Sequence, residues 1–221
     1  MIKLIIFDWD DVLTLNAKEG YYNCYRKTIN ELGVYLDEKE LDKRIKKRWG
    51  QPYREEIKEI LKERPELVNK ACALYQQHKF GPTYLDKVKE VPGIDSLLKK
   101  LSKEYLLAVA TANQPKILQK IYEKFSIPKV FCQIVTAYDE DVPPEKTKPH
   151  PHMLELILNK QKIKSSEALF VGDAENDVLM AKNAGIEPVV VLTGHLSKEQ
   201  ADKLGVKYVL PDVTKLEEIL F

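Results

Sequence analysis

Apolar and polar positions follow two different periods along this chain. Residues 2–7 form a short, Ile-rich apolar run, which predicts a buried strand. From residue 94 onward, similar runs alternate with segments whose apolar residues recur at helical spacing. Repeated strand–helix units of this kind predict a parallel sheet that helices cover on both faces. The further predicted strands are residues 105–110, 130–136, 168–171 and 189–192, and the predicted helices are residues 94–101, 115–125, 152–159 and 176–184.

One block interrupts this alternation directly after the first predicted strand. Residues 17–80 are rich in Lys, Glu and Tyr, place apolar residues at helical spacing and show no pattern of period two. Glycines and prolines divide the block into several short helices. The sequence therefore predicts an α/β fold with a Rossmann-like parallel sheet. Its core would comprise residues 1–15 and 87–221, with an inserted all-helical cap domain at residues 16–86.

The composition narrows the class of protein without identifying its chemistry. The 221 residues are 44% hydrophobic, which supports a sizeable core. With 35 basic and 34 acidic side chains the charges nearly cancel, so no overall field attracts nucleic acid or a membrane. The first residues lack a signal-peptide pattern, no apolar stretch has the length of a membrane span, and three cysteines are widely spaced. We therefore expect a cytoplasmic monomer or homodimer.

A cluster of carboxylates follows the first predicted strand without a gap. Asp8 and Asp10 lie one residue apart, and Asp11 comes next. Close carboxylates repel one another and resist ionising together, so packing alone does not explain the cluster. A divalent cation or a catalytic task would make it tolerable. The carboxyl edge of a parallel sheet is also where ligands bind, which makes the cluster a candidate active site.

Three later segments carry polar residues at the same edge of the predicted sheet. One strand ends in Thr111, Ala112 and Asn113, and another ends in a stretch that contains Asp173 and Asp177. The segment after residues 130–136 carries two lysines, Lys146 and Lys148. Because the carboxyl ends of parallel strands meet at one edge, we expect these segments to converge on the pocket of Asp8.

These side chains together suit phosphoryl transfer. A carboxylate such as Asp8 can act as a nucleophile and form an aspartyl phosphate. Thr111 supplies hydrogen-bond donors and Lys148 a positive charge for the phosphoryl oxygens. Asp8 and Asp173 could share Mg²⁺, which takes oxygen ligands. Asp10 is placed to protonate the leaving oxygen and later to deprotonate water.

The same segments resemble four motifs of the haloacid dehalogenase superfamily, in its phosphatase branch with a helical cap after the first strand. The sequence carries Asp-x-Asp-x-Val at residues 8–12, Thr111 after the next core strand, and Lys-Pro-His-Pro at residues 148–151. The fourth motif, Gly-Asp-x-x-x-Asp, stands at residues 172–177. The order and spacing cover nearly the whole chain. The two prolines after Lys148 favour it over Lys146.

The resemblance implies a role for each motif residue. Asp8 would be the nucleophile and Asp10 the acid and base, while Thr111 and Lys148 would bind the phosphoryl group. Mg²⁺ would be held by Asp8, by the backbone carbonyl of Asp10 and by Asp173. Asp177 would support Lys148 or a metal-bound water, which places it in the metal site as well. Asp10 also favours phosphate esters over carbon–halogen substrates, and Asp11 is expected to be a variable neighbour.

The cap is expected to recognise the leaving group. In related capped phosphatases a turn between cap helices reaches the site, which points to Arg48, Gln51 and Arg54 here, and either arginine could bind a second anionic group. The alternative is that residues 43–48 form a solvated basic helix face. Three tyrosines at helical spacing are expected to pack inside the cap rather than to bind substrate. They are Tyr21, Tyr22 and Tyr25.

The resemblance, which extends to phosphoglycolate phosphatase-like and β-phosphoglucomutase-like members, implies Mg²⁺-dependent hydrolysis of a small phosphate monoester through phospho-Asp8. The expected partner is a small phosphorylated metabolite. Two alternatives stay open. One is a sugar phosphomutase, which would return the phosphoryl group to a sugar hydroxyl. The other is a phospho-aspartate switch without turnover.

Overall fold

Six parallel strands form the central sheet of the computed structural model, which describes residues 1–220. The strand order is β5-β4-β1-β6-β7-β8. When the six strands are counted along the chain, this is the order 3-2-1-4-5-6 of a doubly wound Rossmann-type sheet, and the predicted fold class is confirmed. The strands are β1 (Leu4–Phe7), β2 (Thr14–Leu15), β3 (Lys89–Glu90), β4 (Leu106–Thr111), β5 (Gln133–Thr136), β6 (Ala168–Gly172), β7 (Glu187–Val191) and β8 (Tyr208–Leu210).

The central strands are continuously apolar because both faces of the sheet are covered. All four residues of β1 are buried, as a parallel strand between two neighbours requires. Ile5 and Phe7 pack into the core on one face, and Leu4 and Ile6 pack on the other. Burial of each such side chain contributes about 1.5–3 kcal/mol, so the alternation fixes the register of β1 firmly.

Eleven α-helices lie among residues 1–220. Helices α6 and α7 contribute to the core of Ile5, and α8 and α9 contribute to that of Ile6. No helix within this described part combines the length and the apolar character needed to cross a membrane. The helices are α1 (Ala17–Glu31), α2 (Glu38–Arg48), α3 (Tyr53–Ile60), α4 (Val68–Phe80), α5 (Pro82–Leu85), α6 (Ile94–Leu101), α7 (Pro115–Lys124), α8 (His152–Gln161), α9 (Glu175–Asn183), α10 (Lys198–Lys203) and α11 (Glu217–Leu220).

The segment between β2 and β3 holds helices α1 to α5. They pack on one another around buried apolar side chains such as Ile29, Ile45 and Tyr75. Where the segment leaves and rejoins the core, β2 and β3 pair as an antiparallel ribbon, which sequence patterning missed because each strand has only two residues. We keep the division into a core and a helical cap, residues 16–86, as a proposal.

One predicted strand is shorter in the structure than its apolar run. The run at residues 130–136 joins β4 only from Cys132 onward, where the N–H of Cys132 donates to the carbonyl of Leu107 at 2.8 Å. Before that point the backbone turns, and the N–H of Val130 donates to the carbonyl of Pro128. Val130 and Phe131 instead pack against the core as partly buried side chains, which explains why an apolar run extends beyond the strand.

Candidate active site

The sheet topology brings the motif segments to one edge. Phe7 pairs with Val109 of β4 and with Val171 of β6, and the N–H of Asp8 continues the ladder to the carbonyl of Val171. Asp8 therefore stands at the point where successive strands pass from one side of β1 to the other. Ligands of doubly wound sheets bind at this switch point.

A buried acidic cluster surrounds a single lysine at this edge. Asp8, Asp173 and Asp177 each offer a carboxylate oxygen, and these atoms lie within 4.8 Å of one another. Lys148 Nζ lies 2.9 Å from Asp8 Oδ1 and 2.8 Å from Asp177 Oδ1. Only 2% of Lys148 is exposed, whereas Lys146 is exposed. Of the two lysines, Lys148 is the one that the structure brings into the site.

The charges of this cluster are out of balance. Burial raises the pKa of Asp8 to about 7 against the opposing charge of Lys148, and Asp177 and Asp10 add to the rise. Burial and the negative charges of Asp177, Asp11 and Asp8 raise the pKa of Asp173 well above its ordinary value. Burial opposes the charged form of Lys148, but its two carboxylate partners raise its pKa overall. Three carboxylates against one lysine leave room for further positive charge, and their oxygens suit Mg²⁺.

Backbone groups hold the second half of the cluster in place. Asp177 Oδ2 accepts hydrogen bonds from the N–H groups of Asp173 and Ala174, at 3.1 and 3.2 Å, at the start of α9. The N–H of His195 donates to Asp173 Oδ2 at 3.0 Å. A side chain at Gly194 would collide with the Asp173 carboxylate, so glycine is required there. No separate sequence signal marks Gly194 and His195, because they follow a strand that carries no acidic motif.

The carboxylate of Asp10 belongs to a different set of contacts. Tyr21 and Tyr84 donate to it at 2.7 and 2.8 Å, and Asn113 Nδ2 donates at 3.0 and 3.1 Å. Tyr21, which was expected to pack inside the cap, therefore also contacts a motif residue, and Tyr84 is a site residue that the sequence did not indicate. The Asp10 side chain lies outside the acidic cluster, so its backbone carbonyl is the group that the resemblance leaves for the metal.

Asp11, which was expected only to be a variable neighbour, has a structural role. Its backbone has a φ of 56°, and its carboxylate accepts hydrogen bonds from the N–H groups of Ala17 and Lys18, at 2.9 and 2.6 Å. These two donors belong to the first turn of α1, where backbone N–H groups lack partners within the helix. Asp11 thus ties the start of the helical segment to the strand that carries Asp8.

A cavity joins the motif residues to the helical segment above them. Its volume is about 40 Å³, space for roughly three water molecules. The predicted residue Gln51 lines it, whereas Arg48 and Arg54 do not. Arg48 lies in an adjoining open groove, and Arg54 contacts Asn69 and Cys72 on α4. The lining is Asp8, Asp10, Tyr21, Trp49, Gly50, Gln51, Tyr53, Glu56, Tyr75, Lys79, Thr111, Ala112, Asn113, Gln114, Tyr138, Lys148, Ala174, Asn176 and Asp177.

Comparison with known proteins assigns the family. Residues 5–191 match the model of the haloacid dehalogenase-like hydrolase family. The chain belongs to this family. It is 31% identical over 130 residues to the phosphoglycolate phosphatase of Vibrio parahaemolyticus, covering 58% of this chain and 55%, about half, of that relative. It is 28% identical over 221 residues to the pyrophosphatase PpaX of Halalkalibacterium halodurans, covering 99% of this chain and 97% of that protein.

A solved structure shares the fold over the full length. A haloacid dehalogenase-like family hydrolase from Streptococcus pneumoniae superposes with a TM-score of 0.81 and covers 100% of this chain and 99% of that chain. The sequence identity is 20%, so this likeness concerns the fold. The cavity lies at the switch point of the strand order, where ligands of doubly wound sheets bind.

The helical side of the cavity contains two ionisable groups that sequence analysis missed. Lys79 is 2% exposed, and its Nζ lies 3.2 Å from the ring centre of Tyr21 and 3.6 Å from that of Tyr84. Glu56 is also buried and accepts a hydrogen bond from the hydroxyl of Tyr25. Burial lowers the pKa of Lys79 to about 7 and raises that of Glu56 to about 8.

Contacts between the helical segment and the core cover the site of the hydrolase. Trp49 packs on His195 with ring centres 4.1 Å apart, and Asn176 Nδ2 donates to the carbonyl of Trp49. The N–H of Tyr53 donates to the Tyr138 hydroxyl at 3.2 Å. These contacts narrow the access to the cavity, and its volume of about 40 Å³ means that binding of any but a small substrate requires the helices to move.

Proposed function

We propose that this hydrolase is a Mg²⁺-dependent phosphatase acting on a small phosphate monoester, phosphoglycolate or a similar compound, through an aspartyl phosphate on Asp8. The observation that carries the proposal is the position of Asp8, ion-paired to Lys148 within an acidic cluster and in the same cavity as Asp10. The phosphatase names of the two sequence relatives support it. The free thiols of all three cysteines support a reducing compartment, the cytoplasm.

In the first step, an oxygen of Asp8 attacks phosphorus and the bond from phosphorus to the leaving oxygen breaks. Asp10 donates a proton to that oxygen, so the leaving group departs with a hydroxyl. Lys148 and the Thr111 hydroxyl bind the phosphoryl oxygens. That hydroxyl already accepts the N–H of Asn113 at 3.1 Å, which leaves its own proton available to donate.

In the second step, water attacks the phosphorus of phospho-Asp8, and the bond between phosphorus and the Asp8 oxygen breaks. Asp10 takes a proton from the water, which restores its starting state and releases inorganic phosphate. The hydrogen bonds from Tyr21, Tyr84 and Asn113 keep the Asp10 carboxylate directed into the cavity in this step.

The residues that would hold Mg²⁺ are Asp8, Asp173 and the backbone carbonyl of Asp10, with Asp177 beside them. When bound, the ion would neutralise charge on the phosphoryl oxygens and offset the repulsion within the acidic cluster. Lys148 would favour the ionised form of Asp8, because its positive charge lies 2.9 Å from that carboxylate.

The test is the release of inorganic phosphate from a panel of small phosphomonoesters and p-nitrophenyl phosphate, with and without Mg²⁺. Asp8→Asn should lower turnover by at least about 10⁴-fold, because an amide is a far weaker nucleophile. Circular dichroism of the variant should match the wild type. Near-normal turnover in Asp8→Asn would contradict the nucleophile assignment.

The same assay separates the two alternatives. Isomerisation of a sugar phosphate without net phosphate release would establish a phosphomutase in place of a phosphatase. A stable acyl phosphate on Asp8 with no turnover would establish a phospho-aspartate switch. Multiple turnovers with release of phosphate would contradict both.

A further inference from the structure

Lys79 is a buried cation at the cavity without a hydrogen-bonding partner. Its Nζ has less than 1 Å² of exposed surface and no hydrogen bond within the described part of the chain. It faces the rings of Tyr21 and Tyr84 instead. A buried ammonium group that makes no hydrogen bond is costly, so the position of Lys79 indicates a ligand that completes it.

The acids nearest to Lys79 already have donors of their own. Asp10 accepts hydrogen bonds from Tyr21, Tyr84 and Asn113, and Glu56 accepts one from Tyr25. Lys79 is therefore not needed to satisfy either carboxylate. With its pKa raised to about 8 by burial, Glu56 is mostly protonated at neutral pH and supplies little negative charge.

Tyrosine side chains make up much of the wall around Lys79, which also includes the carboxyl groups of Asp10 and Glu56. Arg48 and Arg54, the arginines expected to bind a second anionic group, lie outside the cavity. Lys79 is the cation at the helical side of the lining, opposite Lys148 at the core side.

We propose that Lys79 is a specificity-determining residue that binds a second negatively charged group, a carboxylate or a phosphate, on the leaving group of the substrate. The proposal rests on the proposed function and deepens it, because it selects anionic leaving groups among small phosphate esters. With a volume of about 40 Å³, the cavity has no room for a large leaving group.

The experiment compares three substrates that differ in the leaving group. In 2-phosphoglycolate the leaving group carries a carboxylate, and in inorganic pyrophosphate it is a phosphate. In 2-hydroxyethyl phosphate the leaving group is uncharged and similar in size to that of 2-phosphoglycolate. The variants are Lys79→Met, which keeps the length of the side chain, and Lys79→Gln, which keeps a polar end. Lys70→Met on the exposed face of the same helix is the matched control.

In the wild type we expect kcat/KM to be higher for an anionic leaving group than for the neutral one. Lys79→Met and Lys79→Gln should lower kcat/KM for the preferred anionic substrate by about 100-fold, as loss of a hydrogen bond to a charged group implies. The neutral substrate should change by less than about threefold, with the loss appearing mainly in KM. Which anionic substrate loses more distinguishes a carboxylate from a phosphate.

Two results would overturn the proposal while leaving the phosphatase intact. One is a wild-type enzyme that hydrolyses the neutral ester as well as both anionic ones, which needs no variant to observe. The other is an equal loss on all three substrates in the Lys79 variants, which would assign the lysine a structural role. Absence of phosphate release from any ester by the wild type would instead contradict the proposed function itself. Binding of 2-phosphoglycolate to Asp8→Asn, with and without Lys79→Met, reports on the anion contact without turnover.

Discussion

The two walls of the cavity are built in different ways. The core wall includes Asp8, Asp177 and Lys148, which lie at or near the ends of parallel strands and within a few ångströms of one another. In the helical wall, Glu56 and Lys79 come from separate helices, and each lies on the buried face of its helix rather than at the end of a strand. The core wall therefore carries charge in a compact cluster, whereas the helical wall disperses it among aromatic rings. One wall suits a reaction at phosphorus, and the other suits selection among leaving groups.

Asp10 lies where the two walls meet, and its replacement should have the largest effect among the remaining tests. Asp10→Asn removes the group that gives and takes a proton, so we expect kcat to fall by about 10³-fold. The amide keeps the shape of the side chain, and its oxygen can still accept a hydrogen bond. Steady-state phosphate release, together with a search for accumulated phosphoenzyme, measures the effect. Unchanged kinetics would remove Asp10 from the chemistry and leave it as a contact between the walls.

The difference between the walls also explains what the sequence could predict. Asp8, Thr111 and Asp173 follow strands whose apolar runs are short and unbroken, so topology alone brought them to one edge. Lys79 lies on a helix of mixed polarity, and nothing in the local pattern distinguishes it from the exposed Lys70. Its position depends on how several helices pack, which is a property of tertiary contacts that no single segment encodes.

The arginines of the helical segment illustrate the same limit. Arg54 is two residues from Glu56 on α3, yet Glu56 lines the cavity and Arg54 points to α4. On a helix, residues two apart face different directions, so naming the correct helix does not identify the correct side chain. Gln51 was predicted at the cavity and lies there, because it belongs to the turn that approaches Lys148.

The hydroxyl of Tyr21 tests whether the helical wall takes part in the chemistry of the core wall. Tyr21→Phe removes a 2.7 Å hydrogen bond to Asp10 and keeps the ring beside Lys79. We expect kcat to fall by about tenfold, since a hydrogen bond to a charged group contributes about 1.5–3 kcal/mol and two other donors remain. The loss should appear in kcat rather than in KM, because the contact positions Asp10 and does not touch the substrate.

The neighbouring tyrosine is the matched control for this prediction. Tyr22 lies on the same helix and also donates to a carboxylate at 2.7 Å, but its acceptor is Asp42, far from the motif residues in the chain and absent from the cavity lining. Tyr22→Phe should leave kcat unchanged. Equal losses of kcat in the two variants would show a general effect of the helices rather than a contact with Asp10.

The smallest expected effect concerns the stability of the protein and its dependence on pH, through Glu56 in the helical wall. Burial raises the pKa of Glu56 from 4.5 to about 8, so the folded protein retains a proton there that the unfolded chain has lost. This stabilisation is complete below pH 4.5 and is lost as the pH rises towards 8. Glu56→Gln mimics the protonated form at every pH. The free energy of unfolding of Glu56→Gln minus that of the wild type should therefore rise from pH 5 to pH 7, by on the order of 1 kcal/mol.

A carboxylate on the same helix with the opposite shift provides the control. The side-chain hydrogen bond and charge of Lys47 lower the pKa of Glu59, so its stabilisation is present above its ordinary pKa and is lost only as the pH falls through the lowered value. The difference between Glu59→Gln and the wild type should thus stay constant from pH 5 to pH 7. Both differences are measured by thermal or urea unfolding up to pH 7. Above that pH the lowered pKa of Lys79, about 7, makes the stability of the protein rise with pH, opposite to the effect of Glu56. If Glu56→Gln showed the flat profile of Glu59→Gln, Glu56 would be ionised in the folded protein. The helical wall would then carry a negative charge beside Lys79, and that lysine would already have its counter-ion.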